Sequence, residues 1–264
     1  MNTSKIYNNF EGDHSKLWEQ LFMKETPVVR ITYDFIMEEQ RQITFTVNLD
    51  SQTLDYIPVP KKSLPDWTRL DYEPRCVDCI LTNYQHTYCP LMVNLADVVV
   101  AFKDTLSYEV VDCKVTTGER TYLREKIPIQ VALSSLLGII MVTSGCVYLD
   151  KLRPMVKFHL PFASVEETIY RSASMYLLAQ YFRSRKNLDF DHELTGLTKI
   201  YENIDMVNAR ICKRLLAATN KDASLNAVIV LDVFAKMVPM SIDSTLSAFE
   251  NLFAGYLVDK INEE

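Results

Sequence analysis

Glycine is scarce in this 264-residue chain: there are six, beside ten prolines and two tryptophans. So few leave no room for long Gly-rich loops, and neither a P-loop nor a GxGxxG turn occurs. The nucleophile elbow GxSxG and the zinc-protease motif HExxH are missing too. Positive charge is in deficit, with 28 Lys plus Arg against 34 Asp plus Glu and a net charge of −6. A general nucleic-acid binder carries the opposite balance, which argues against that class. At 48% hydrophobic and 23% charged, the composition is globular and excludes collagen, disorder and low complexity. The length suits one large domain or two small ones.

The N-terminal residues form no apolar core and include acids, so they read neither as a secretory signal nor as a transit peptide. No charged residue falls between Ile127 and Leu149, a length that can span a bilayer. Pro128, Gln130, Ser134, Ser135, Thr143 and Ser144 interrupt it, and its flanks carry no positive bias. A buried core helix is the expectation, which argues against a membrane partner. Cys76, Cys79 and Cys89 crowd together, while Cys113, Cys146 and Cys212 are scattered. That pattern suits reduced thiols and a metal site in a cytoplasmic protein better than disulfides.

Hydrophobic periodicity changes along the chain. Residues 1–26 read as a polar lead-in with a short helix near 14–23. Alternation with period two predicts strands over 28–35, 43–49 and 53–59, a small antiparallel meander. Pro90 suits the first turn of a helix over 91–106. A hairpin turning at Thr117-Gly118-Glu119 should join strands near 108–116 and 120–127. Helices are expected over 130–142, from Ser164 to about Arg185, and over 191–219, 223–238 and 243–259. Ser164 and Glu167 have capping-box spacing, and the helix they open is apolar on nearly every side, which predicts burial. Strands first and helices second indicate an α+β fold: N-terminal antiparallel strands with a metal knuckle over 27–127, then a helical bundle over 128–264. The two parts can share one core.

The segment from Cys76 to Cys89 has the spacing Cys-x2-Cys-x6-His-x2-Cys. Two close pairs joined by a short loop are what a tetrahedral cation requires, and three thiolates with an imidazole suit zinc. Cys76, Cys79, His86 and Cys89 are therefore the expected metal ligands. Cys89 precedes Pro90 at a helix N-terminus, which favours the thiolate. Free cysteines in a loop and a redox Cys-x2-Cys stay open as readings. So does an iron–sulfur cluster in which Cys146 replaces His86.

A basic stretch follows at 150–162. If 155–160 is extended, Val156, Phe158 and Leu160 face one way and Lys157 and His159 the other. With Arg153 and with Arg171 in the next helix, they form a candidate site for a phosphate or carboxylate. The plainer alternatives are a solvated Lys157, an Arg153 paired with Asp150 or Glu167, and a His159 that satisfies a core hydrogen bond. Asp232 and Lys236 have ion-pair spacing on a helix. Arg210, Lys213 and Arg214 read as solvated helix-face residues.

Several stretches resemble an uncharacterised bacterial family, a domain of unknown function. They are CVDC with CP at 89–90, TSGC at 143–146, LRPM at 152–155, FHLPF at 158–162 and EETIYR at 166–171. The similarity runs on through 173–183. The resemblance implies a bacterial protein and assigns no activity. The combined expectation is a zinc-stabilised cytosolic binding or regulatory protein without catalysis of its own, with an unknown protein or a small anion as partner. The alternative is a metal-dependent enzyme or iron–sulfur redox protein using Cys76, Cys79, Cys89 and Cys146.

Overall fold

The computed structural model describes residues 28–38, 41–61, 63–76, 79–81 and 86–257. The expected helix near 14–23 lies outside them. β1 (Val28–Ile36) and β2 (Gln42–Asp50) form a hairpin, and β3 (Val110–Thr116) and β4 (Thr121–Pro128) a second. The sheet is antiparallel throughout, in the order β2-β1-β3-β4. Alternation decides its faces. Ile31, Tyr33, Phe35, Val47, Leu49, Val111, Cys113 and Val115 are buried. The other face carries a polar ladder in which Thr44 Oγ1 donates to Asp34 Oδ1 at 2.6 Å.

The expected third strand of the meander does not form. Residues 53–59 contribute a single bridge, Leu49 to Tyr56. The Asp50 carboxylate accepts the N–H groups of Gln52 and Thr53, both at 2.8 Å, and Leu54 takes a left-handed conformation, φ 60°. That turn spends the backbone groups a strand would need.

Six α-helices complete the described fold: α1 (Pro90–Ala101), α2 (Ile129–Thr143), α3 (Val165–Arg185), α4 (Thr195–Leu216), α5 (Ala223–Phe249) and the short α6 (Ala254–Leu257). Residues of α1 and α2 meet the buried sheet face, with Phe35 and Phe102 edge to face at 5.1 Å. α5 packs on α2, α3 and α4. One hydrophobic cluster joins the strands to all of the longer helices, so both halves of the chain share a core. Each large apolar side chain buried there stabilises by about 1.5–3 kcal/mol.

Three expectations need correction. Residues 150–158 are not extended: Asp150–Phe158 is a 3-10 helix whose end carbonyls, Met155 and Phe158, accept from Arg171 Nη2 at 2.8 and 3.0 Å. α3 is not central. Only Ile169, Ser172, Ala173, Tyr176 and Gln180 are buried, a single stripe, while Leu178 and Phe182 are more than half exposed. The two C-terminal helices are one, because α5 continues through Pro239. Ala235, Val238 and Ile242 are buried on either side of that proline, and this packing outweighs the lost hydrogen bond.

The charge-free stretch after Ile127 is the buried α2, as expected. Among the described residues, one helical stretch is long and apolar enough to cross a membrane: Ala223–Leu257, mean hydropathy 1.7, with 28% of its most apolar window buried.

Candidate functional site

The cysteines are assembled by backbone pairing. Residues 68–70 run beside 87–89, with Cys89 N–H donating to the Thr68 carbonyl at 2.9 Å and Leu70 N–H to that of Thr87 at 2.9 Å. This sets Cys89 as the N-cap of α1, where its sulfur faces the N–H groups of Leu91 and Met92. Cys79 N–H reaches back to the Cys76 carbonyl at 3.4 Å. Cys146 follows Gly145, whose φ of +74° ends α2 with a sharp reversal that suits glycine. The Cys146 sulfur faces the N–H groups of Tyr148 and Leu149.

Four thiols are thereby neighbours. Burial pushes the Cys76 thiol up to about 11, and Cys146, Cys89 and Cys79 push it the same way, while Arg214 opposes them. Burial also raises Cys89 and Cys146, and Cys79 acts on both. His86 is exposed and is not among the main groups acting on these three sulfurs. Among the described residues, no three His, Cys, Asp or Glu side chains stand at metal-coordinating distance. Cys113 lies apart in β3, and Cys212 in α4 is acted on by Asp232 and Lys236.

Arg214 holds this region. Its guanidinium donates to the carbonyls of Arg69, Tyr72, Pro74 and Trp67 at 2.8, 2.5, 3.2 and 3.3 Å. The reading of Arg214 as a solvated residue is wrong, because it is 5% exposed on the inner stripe of α4. It sits at i+3 from Ile211 and i+7 from Val207 on that stripe, the one signal that would have found it.

The second site is a cavity of about 440 Å³ between α2, the 3-10 segment, α3, α4 and α5. Its wall is mostly aliphatic. The residues of the expected anion set scatter around it. Arg153 turns away to pair with Asp55 and Asp150 and ties the 3-10 segment to the 50–57 loop. Lys157 is exposed and does not line the cavity. His159 and Arg171 do line it. His159 is not a cation: burial and Arg171 push it down to about 3. Its Nε2 lies 2.6 Å from Tyr33 Oη, which is 2.8 Å from Ser135 Oγ, so the plain alternative, a core hydrogen bond, is what forms.

Two polar wall residues were missed. Arg124 Nη1 donates to the Phe162 carbonyl at 3.4 Å. Asn208 is 0% exposed, and neither its amide oxygen nor its nitrogen has a partner among the described residues. An asparagine seven residues after Tyr201 on an apolar helical stripe was the available clue.

A family model, a domain of unknown function (DUF6901), matches residues 31–254, and the chain belongs to that family. No curated protein and no solved structure matches it.

Proposed function

We propose that this chain is a binding protein of a reducing compartment, the cytoplasm, braced by one structural zinc ion and without catalysis of its own. One observation carries the zinc: Cys76, Cys79 and Cys89 line one small pocket, and Cys146, far along the chain, comes within electrostatic reach of them. Burial raises the Cys89 and Cys146 thiols, backbone N–H groups directed at them offset part of that rise, and a bound cation would supply the rest. Cys146 is preferred over His86 as fourth ligand because His86 faces solvent. A closed set of four thiolates is structural, and here it ties the loop to the ends of α1 and α2. The cavity supports binding as the function.

An iron–sulfur cluster on the same four cysteines is the second reading, since four thiolates serve either group. The test is metal content after purification without chelator and without air. One zinc per chain in a colourless protein, lost in Cys146→Ser and kept in His86→Ala, is the expected result. A brown protein with iron and sulfide selects the cluster. A metal-free protein that takes up no zinc overturns both.

A further inference from the structure

The cavity has an unusual charge inventory. Its wall includes two arginines, Arg124 and Arg171, and no carboxylate. Neither arginine has an ion pair among the described residues. Glu167 is the carboxylate nearest in influence to Arg171, and it is committed to the Ser164 N–H at 2.7 Å. Both guanidinium groups donate to carbonyls of the 155–162 segment, Arg171 from α3 and the solvent-exposed Arg124 from β4. Burial lowers the Arg171 pKa, and the nearby Tyr201 and Glu167 offset it only in part.

A second polar point lies further in. Tyr201 neighbours Arg171, and Asn208 is seven residues beyond it on α4. Seven residues of helix advance about 10 Å. The Asn208 amide has one acceptor and two donors, all unpaired and fully covered, so a ligand in the cavity reaches it only when the wall beside it yields. A buried amide in that condition is costly unless something completes it. The wall also carries Val131, Leu152, Val156, Leu231 and Phe234.

We propose that the cavity binds a medium-chain carboxylic acid that carries a second hydrogen-bonding group near its far end. The carboxylate pairs with Arg171 and Arg124, the chain lies along the aliphatic wall, and a distal hydroxyl or carbonyl completes Asn208. A cavity of this size suits a chain of about ten carbons, at the lower end of the range for small-molecule sites. The proposal rests on the binding role inferred above and is independent of the zinc.

The test titrates the full chain with decanoate, 10-hydroxydecanoate and decanol by calorimetry. Decanoate is expected to bind at least tenfold more tightly than decanol, and 10-hydroxydecanoate about two- to tenfold more tightly than decanoate, the worth of one hydrogen bond. Asn208→Leu should abolish the preference for the hydroxy acid while leaving decanoate bound. It should also raise the melting temperature of the free protein by removing an unpaired amide. Arg124→Gln should weaken both acids and leave decanol unchanged. Arg171 supports the 3-10 segment, so Gly138→Leu is the cavity-blocking variant: a Cβ there meets only Leu231 Cδ2, at 3.5 Å. It should fold and lose all three ligands. Absence of binding by both acids, or equal binding of decanol, overturns the proposal. Metal content is measured on the same samples, so a failed cavity with intact zinc is distinguished from a failed zinc site.

Discussion

The guanidinium of Arg214 donates to the carbonyl of Tyr72 at 2.5 Å and lies 5.7 Å from the centre of the same residue's ring. One side chain of α4 thus organises the whole approach to the cysteines. Arg214→Lys keeps the charge but cannot span four carbonyls. It should cost about 2–4 kcal/mol in urea denaturation, and thiol reagents should modify Cys76 faster. A loss too small to resolve, with unchanged thiol rates, would show that the loop is held by other contacts.

His159 makes stability depend on pH. Its folded pKa, about 3, lies below the ordinary value of 6.5. The folded state therefore binds fewer protons than the unfolded chain between those values. The stabilisation is complete above pH 6.5 and is lost as the pH falls toward 3. His159→Gln removes this dependence. Between pH 7 and 5, where few carboxylates titrate, the wild type should lose stability more steeply than the variant, by about 1.4 kcal/mol per pH unit at most. Parallel curves for the two proteins would rule the mechanism out.

Gly196 allows a close approach. A Cβ built there would lie 2.1 Å from Tyr176 Oη, which donates to Asp191 Oδ2 at 2.8 Å. Asp191 also accepts from Gly196 N–H at 2.8 Å, so the start of α4 and the middle of α3 meet at this carboxylate. Gly196→Ala should destabilise by about 1–3 kcal/mol, despite alanine's better helix propensity. Adding Tyr176→Phe, which deletes the clashing oxygen, should recover part of that loss. Four denaturation curves complete the cycle, and strict additivity would contradict the contact.

Ser164 and Glu167 exchange hydrogen bonds at the start of α3: Glu167 N–H to Ser164 Oγ at 3.1 Å and Ser164 N–H to Glu167 Oε2 at 2.7 Å. Ser164→Ala should cost about 1 kcal/mol. The same change should weaken decanoate binding only slightly, because Arg171 is held by the Met155 and Phe158 carbonyls and not by the cap. Strong weakening in calorimetry would mean that the cap itself sets the arginine end of the cavity.

Patterns confined to a few neighbouring residues were legible without coordinates. Alternation at 28–35 and 43–49 marked two strands, Thr117-Gly118-Glu119 marked their sister hairpin, and Ser164 with Glu167 marked a helix start. The ion pair of Lys236 with Asp232, 2.6 Å, also followed from spacing. These features depend on backbone periodicity and on hydrogen bonds within one or two turns, which local residue types dictate.

Partners remote in sequence were not legible. The apolar run of α3 predicted burial, yet its neighbours cover one stripe only, and packing rather than composition decides exposure. His159 read as a cation because histidine carries that option. Its neutral state follows from burial and from Arg171, and its hydrogen-bond partner Tyr33 is 126 residues away. Arg214 read as solvated, and only the arrival of the 67–74 loop turned it into a buried anchor. The unpaired Asn208 is a statement about what surrounds it. Chain order determined the elements of this protein. The closing of β1, α2, α4 and α5 on one another decided which polar groups were cut off from water, and with that the place where a ligand can be held.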